Sequence, residues 1–113
     1  MRPFFETDYP RSGSRGSLAP VQADTIDARV LAAGAAEVHA VPTGAQHVLF
    51  SATGDFFAKF GASGVAAAVP AADVTNGSAP ELNPAARRVP DGATHVALVA
   101  PAACTVTLSW YGA

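Results

Sequence analysis

Three histidines are the residues of this sequence best suited to metal or acid–base chemistry. His47 and His95 occupy equivalent places, each three residues after the glycine of a Pro-x-Gly segment, and His39 is the third. A protein zinc site usually takes four ligands from histidine, cysteine and carboxylate side chains. No cysteine or carboxylate stands at suitable ligand spacing, and equivalent strand starts lie apart in a folded domain. We therefore expect no metal, and predict that His47 and His95 hydrogen-bond to the turns before them.

Nucleophilic and phosphate-binding patterns give no better candidate. Ser12-Gly-Ser-Arg-Gly16 is not a G-x-S-x-G elbow, and no strand precedes it. The carboxylates fall in the N-terminal segment or in predicted turns, where they usually solvate or cap the chain. Arg87 and Arg88 would point to opposite faces of a strand, so they cannot clamp one phosphate. The sequence predicts neither an enzyme nor a cofactor.

Charge and hydropathy argue against two classes of partner. The 113 residues include 7 Lys+Arg and 9 Asp+Glu, and only four of those cations lie beyond residue 20, too few for a nucleic-acid-binding face. The longest apolar run, 96–104, is interrupted by Pro101, whereas a membrane span needs about 20 residues. The first ten residues contain acids and prolines where a signal peptide would be apolar. We expect no membrane anchor and no secretion, and the single cysteine, Cys104, forms no internal disulfide.

Alternation with a period of two predicts an all-β fold. From 104 to 111, apolar residues alternate with threonine and serine, which is typical of a half-buried antiparallel strand with Trp110 in the core. Segments 47–52 and 56–60 alternate similarly, and Thr53-Gly54-Asp55 between them is typical of a hairpin turn. Nine scattered prolines argue against a long alanine-rich helix. We also predict strands at 25–31 and 65–69, and a surface crossover at 70–84.

An internal repeat organises these strands. Residues 41–48, VPTGAQHV, recur 48 positions later as VPDGATHV. The repeated units, 36–61 and 85–112, each read as strand, turn, strand, hairpin, strand. We predict a two-sheet antiparallel β-sandwich of about eight strands, jelly-roll or immunoglobulin-like, built from two three-strand meanders packed face to face.

The Pro-x-Gly turns are the residues to which we assign a structural role. Proline restricts φ where the turn begins, and glycine accepts the positive φ that follows. The predicted structural positions are Pro42, Gly44 and His47 in the first copy, and Pro90, Gly92 and His95 in the second.

Residues 1–20 differ from the single sandwich domain predicted for 21–113. They hold three prolines, three serines and two glycines, a composition typical of an extended arm. Aromatic rings and cations are also concentrated there; the rings either fold back on their own domain or dock on a partner. We predict partner binding by Arg2, Phe4, Phe5, Tyr9, Arg11 and Arg15.

Three segments together resemble small tailed-phage virion proteins: DFFAKFG at 55–61, the 70–84 loop, and RRVPDGATHVALVAPAACTVTLSWYG at 87–112. The resemblance extends over 41–112. It implies a β-sandwich subunit of the virion, most like a capsid decoration or cement protein that binds the major capsid protein and stabilises the head. Such a subunit is made in the bacterial cytoplasm and occurs as a homo-oligomer or multi-copy lattice.

Two alternatives remain open at this point. A tail, collar or fibre-associated subunit would share all of these features. A carbohydrate-binding module could use Trp110 and Tyr111 as stacking rings, but adjacent strand residues face opposite sides of a sheet.

Overall fold

The computed structural model describes residues 1–4 and 20–113, and this part of the chain is all-β. It contains eight strands and no helix, as the alternating sequence pattern predicts. The strands are β1 (Thr25–Leu31), β2 (Glu37–Ala40), β3 (His47–Ala52), β4 (Phe57–Gly61), β5 (Glu81–Leu82), β6 (Ala86–Arg88), β7 (His95–Val99) and β8 (Cys104–Tyr111).

The strands form two four-stranded antiparallel sheets, so the predicted β-sandwich is confirmed. The first sheet has the order β1-β8-β3-β6, and the second has the order β2-β7-β4-β5. Strand pairs are nested: β1 lies beside β8, β2 beside β7, β3 beside β6, and β4 beside β5. This nesting is the winding of a jelly roll, which decides between the two architectures predicted from the sequence.

The prediction of two meanders is wrong, because the strands of one repeat do not pair with one another. Strands β2, β3 and β4 of the first unit lie in the second, first and second sheet in turn, and β6, β7 and β8 alternate in the opposite sense. Each middle strand lies between the outer strands of the other unit: β3 between β6 and β8, and β7 between β2 and β4. Each repeat unit therefore contributes strands to both sheets.

The connection at residues 53–55 shows why the meander prediction fails. The sequence predicts a hairpin here, but the connection carries the chain from β3 in the first sheet to β4 in the second. The amide of Thr53 donates to the Thr105 carbonyl at 3.0 Å, and the Thr105 amide donates to the Thr53 hydroxyl at 3.0 Å. These bonds extend the pairing of β3 with β8. A period of two identifies a strand but not the sheet that it joins.

Each Pro-x-Gly-Ala segment forms the predicted turn. The alanine amide donates to the proline carbonyl three residues earlier, at 3.0 Å in the first copy and 3.1 Å in the second. Positive φ angles occur at both glycines, 86° at Gly44 and 80° at Gly92. These angles lie in the left-handed region that glycine adopts without strain.

Two equivalent hydrogen bonds lock the repeat units together. The Val41 amide donates to the Thr94 carbonyl at 2.9 Å, and the Val89 amide donates to the Gln46 carbonyl at 2.8 Å. Because these four residues are related by the 48-residue repeat, the two bonds correspond across the pseudo-symmetric sandwich.

The main core lies between the sheets, with Trp110 fully buried as predicted. A second apolar cluster covers the opposite face of β7, where Ala97 and Val99 contact Ala67. The prediction of a strand at 65–69 is therefore wrong: this segment is an extended cover over the second sheet and forms no strand ladder. A short strand, β5, lies instead within the predicted 70–84 crossover.

Candidate partner-binding face

Strand β1 turns its charged residues toward the core and its apolar residues outward, which is the reverse of a typical half-buried edge strand. Its register with β8 sets Asp27 opposite Leu108 and Arg29 opposite Val106, so these two charged residues share the core-facing side. Ile26, Ala28 and Val30 consequently lie on the outer side. The exposed fraction is 44% for Ile26 and 75% for Val30.

The inward orientation of Asp27 is explained by Trp110. The buried indole donates from Nε1 to an Asp27 carboxylate oxygen at 3.3 Å, which satisfies the one polar group of that ring. Arg29 lies 3.8 Å from the same carboxylate oxygen. Because β1 is an edge strand, both charged groups reach water past the margin of the sandwich, and their side chains are 35% and 37% exposed.

The outer face of the first sheet is almost uncharged. From β1 it continues across Thr105, Thr107 and Ser109 of β8 to β3 and β6, where Arg88 is the one charged side chain of the described strands on that side. We call this surface the outer face; it consists of Ile26, Ala28, Val30, Leu49, Ser51, Ala86, Arg88, Thr105, Thr107 and Ser109.

The first four residues cover one end of the outer face. Pro3 bridges Gly112, whose amide donates to the Arg2 carbonyl at 2.8 Å. The Phe4 ring stacks on His47 with centroids 5.0 Å apart, and meets the Tyr111 ring edge-on at 5.3 Å. Of the rings predicted to fold back or to dock on a partner, Phe4 thus packs on its own domain.

One side chain contacts the chain on both sides of residues 5–19, which lie outside the described part. Tyr111 touches Phe4 through its ring, and its hydroxyl donates to the Val21 carbonyl at 2.6 Å. Arg2 is also held by its own domain, since its guanidinium donates to the Gln22 carbonyl. The other predicted partner-binding residues, Phe5, Tyr9, Arg11 and Arg15, lie outside the described residues.

The three histidines are held in separate local contacts. His39 pairs with Glu37 at 2.9 Å, and His95 Nδ1 lies 2.9 Å from the Thr94 hydroxyl. Burial, together with the nearby Arg88 charge, lowers the pKa of His47 below its usual 6.5. Among the described residues no group of three or more His, Cys, Asp or Glu side chains is placed to hold a metal ion.

Arg87 and Arg88 point to opposite sides of β6, as the sequence predicts. Arg88 lies opposite His47 and Arg87 lies opposite Val48, so the two guanidiniums do not share a face. Arg87 pairs with Glu81 of β5, an ion pair that joins the margins of the two sheets. The hydrogen bond from Arg87 lowers the pKa of the Glu81 carboxyl.

The rings suggested for sugar stacking are not available at the surface. Trp110 is fully buried in the core, and Tyr111 is covered on the outer side with an exposed fraction of 2%. Among residues 1–4 and 20–113 no helix is long and apolar enough to cross a lipid bilayer. Comparison with family models, curated protein sequences and solved structures gives no match for this chain.

Proposed function

We propose that the protein is a non-enzymatic structural subunit of a tailed-phage particle. In this proposal it is a capsid decoration or cement protein that binds the major capsid protein and stabilises the head. In this proposal the outer face of the first sheet and the predicted N-terminal arm make the contact. The resemblance of segments 55–61, 70–84 and 87–112 to small virion proteins supports this class of function.

The observation that carries the proposal is the exposure of Ile26 and Val30 on a regular strand. Removing apolar surface from water is favourable by about 25 cal/mol per Å². Contiguous exposed apolar side chains on a small domain therefore favour a surface that another protein covers. The same strand turns its two charged residues inward, which leaves the exposed side neutral.

A face with little charge suits a subunit that occupies many equivalent sites. Thr105, Thr107 and Ser109 offer hydroxyls to polar groups of a partner, and they carry no charge that must be matched. Weak contacts are sufficient when the copies are also joined to one another, since one attached copy then raises the effective concentration of its neighbour at the next site.

The jelly roll does not by itself select a function. Jelly rolls occur in viral shells, in lectins and in cupins, so the argument depends on the surface rather than on the winding. The burial of Trp110 and Tyr111 disfavours the carbohydrate-binding alternative, because neither ring presents a face to a sugar. A tail, collar or fibre-associated role uses the same face and differs only in location.

Particles isolated on a density gradient test the proposal directly. We expect the wild-type chain to sediment with filled heads at a fixed ratio to the major capsid protein, and gold-labelled antibody to decorate the heads. Val30→Lys should reduce the bound copies about tenfold, because docking would bury an unpaired ammonium. Val38→Lys is the matched control, since Val38 is also an exposed valine on an edge strand, but of the second sheet.

The outcomes separate the alternatives. Gold on tails or collars would replace the decoration role with the tail-associated one. A chain that remains at the top of the gradient, apart from all particles, would overturn both roles. Equal loss of binding by the Val30 and Val38 variants would remove the outer face as the contact surface.

A further inference from the structure

The five central residues of β1 are self-complementary about Ala28. Ala28 is flanked by Asp27 and Arg29, which have opposite charges, and then by Ile26 and Val30, which are both β-branched and exposed. The two charged residues lie on the core-facing side, and the two apolar residues lie on the outer side. Such a strand is complementary to a second copy of itself that runs in the opposite direction.

Strand β1 is also the one long edge among the described strands. It has seven residues, whereas the other three edges, β2, β6 and β5, have four, three and two. Its described ladder partner is β8, so its second edge of amides and carbonyls carries no ladder within the described strands. Short edges resist pairing, while a long and regular edge is a template for another strand.

We propose that two copies of this chain pair β1 against β1, antiparallel, about a two-fold axis through Ala28. The two first sheets then become one continuous eight-stranded sheet. Asp27 of each copy lies opposite Arg29 of the other on the core-facing side. Ile26 of each copy lies opposite Val30 of the other on the outer side.

Other registers are unfavourable, because they pair like charges or set side chains from opposite sides of the sheet against each other. Moving the axis to Asp27 places the two Asp27 carboxylates opposite each other, and moving it to Arg29 does the same for the guanidiniums. Like charges directly opposite each other destabilise a strand pair. An axis between two residues sets a core-facing side chain of one copy opposite an outward-facing side chain of the other. The axis through Ala28 avoids both problems.

Arg29 is placed to form a charge pair across this edge. Its side chain is 37% exposed, and its guanidinium lies 3.8 Å from the Asp27 carboxylate of its own chain. In the proposed dimer, the Asp27 carboxylate of the second copy lies directly across from Arg29, in a pairing where guanidinium and carboxylate geometries match.

The dimer would extend the surface assigned to partner binding without depending on that assignment. A two-fold axis perpendicular to the sheet keeps both outer faces on the same side. Two copies therefore present one uninterrupted face of twice the width. The inference concerns the isolated protein, so it stands or fails separately from the virion role.

Disulfide formation at the axis tests the register. In the full-length Ala28→Cys variant the two new thiols lie opposite each other, with α-carbons about 4.5–5.5 Å apart, within reach of a disulfide. Under mild oxidation we expect a cross-linked species of twice the monomer mass. Wild type is the first control, because its Cys104 is buried.

Single variants at the flanking positions provide the matched control. Ile26→Cys or Val30→Cys alone should not cross-link, because each new thiol lies four residues, about 13 Å, from its copy in the dimer. Mixing these two variants should restore cross-linking, since Ile26 of one copy faces Val30 of the other. Equal cross-linking by Ile26→Cys alone and by Ala28→Cys would overturn the register.

Charge reversal tests the same contact by sedimentation. Arg29→Asp should weaken self-association about tenfold, because two opposite-charge pairs become like-charge pairs. Intrinsic fluorescence of Trp110 checks that each variant is folded. Arg88→Asp, on the opposite edge of the first sheet, should associate like wild type. The inference would be overturned if the wild-type chain is monomeric at about 1 mM and the Ala28→Cys variant does not cross-link at that concentration.

Discussion

At the scale of single residues, Trp110 and Asp27 together set which side of β1 faces the core. The indole is fully buried, and its one donor ends on the Asp27 carboxylate. A buried donor left without an acceptor costs about 1–3 kcal/mol. Because strand residues alternate in direction, placing Asp27 on the core side turns Ile26 and Val30 outward. One hydrogen bond is thus linked to the exposed surface on which the proposed function depends.

The turn glycines give a prediction on backbone strain. Gly92→Ala should lower the free energy of unfolding by about 1–2 kcal/mol, because an L-residue is strained at positive φ. At Gly92, as at Gly64, an added methyl group meets nothing within 4 Å, but only Gly92 has a positive φ, of 80°. Gly64→Ala therefore controls for the substitution itself. Denaturant unfolding of both variants measures the difference, and equal midpoints would contradict the assignment of strain.

His47 gives a prediction on pH. Burial first, and the Arg88 charge second, lower its pKa in the folded protein below 6.5. The unfolded chain then takes up the proton at a higher pH than the folded one, so this contribution to stability is present above about pH 6.5 and declines on acidification toward the folded-state pKa. We expect Tm to fall between about pH 7 and pH 5, and His47→Gln to reduce that fall. An unchanged slope in the variant would contradict the prediction.

At the scale of elements, strand existence was predictable and strand partnership was not. The alternating patterns correctly indicate β3, β4 and β8, and the 25–31 prediction matches β1. The 65–69 segment, VAAAV, is apolar throughout for another reason, since it covers the outside of β7 without pairing. A short apolar run indicates burial but not pairing, and a sheet-covering segment is buried as a strand is.

The cover segment gives a prediction at this scale. Ala67 is buried against Ala97 and Val99, whereas its neighbour Ala66 is exposed. Ala67→Asp should destabilise the protein by about 1–3 kcal/mol, because the segment must detach or bury an unpaired carboxylate. Ala66→Asp makes the same chemical change on the solvent side. Chemical denaturation should separate the two variants; the assignment of a cover would be wrong if both matched wild type.

At the scale of the whole molecule, the two repeat units share both sheets instead of forming one sheet each. Each unit places its middle strand between two strands of the other unit, so neither unit has a complete sheet alone. The halves are held together by the equivalent bonds from Val41 and Val89. We expect the sandwich to unfold as one cooperative unit, because separating the repeats breaks both sheets.

The arm gives a prediction for the whole molecule. Residues 4 and 21 both touch Tyr111, so a linker of five glycine and serine residues, with a reach of about 17 Å, can replace 5–19. We expect this variant to retain the wild-type Tm and Trp110 fluorescence while its occupancy on particles falls, because Phe5, Tyr9, Arg11 and Arg15 are removed. Full occupancy would exclude those residues as a tether.

The sequence by itself determined the β class, the two turns at Gly44 and Gly92, the core position of Trp110, and the opposite directions of Arg87 and Arg88. These features follow from local rules: residue alternation, and the φ angles that glycine tolerates. The tertiary structure alone decided which sheet each strand joins and which side of β1 is buried. Both depend on neighbours distant in the sequence. Strand pairing is a long-range contact, and the orientation of β1 follows from the acceptor that Asp27 supplies to Trp110, 83 residues further along the chain.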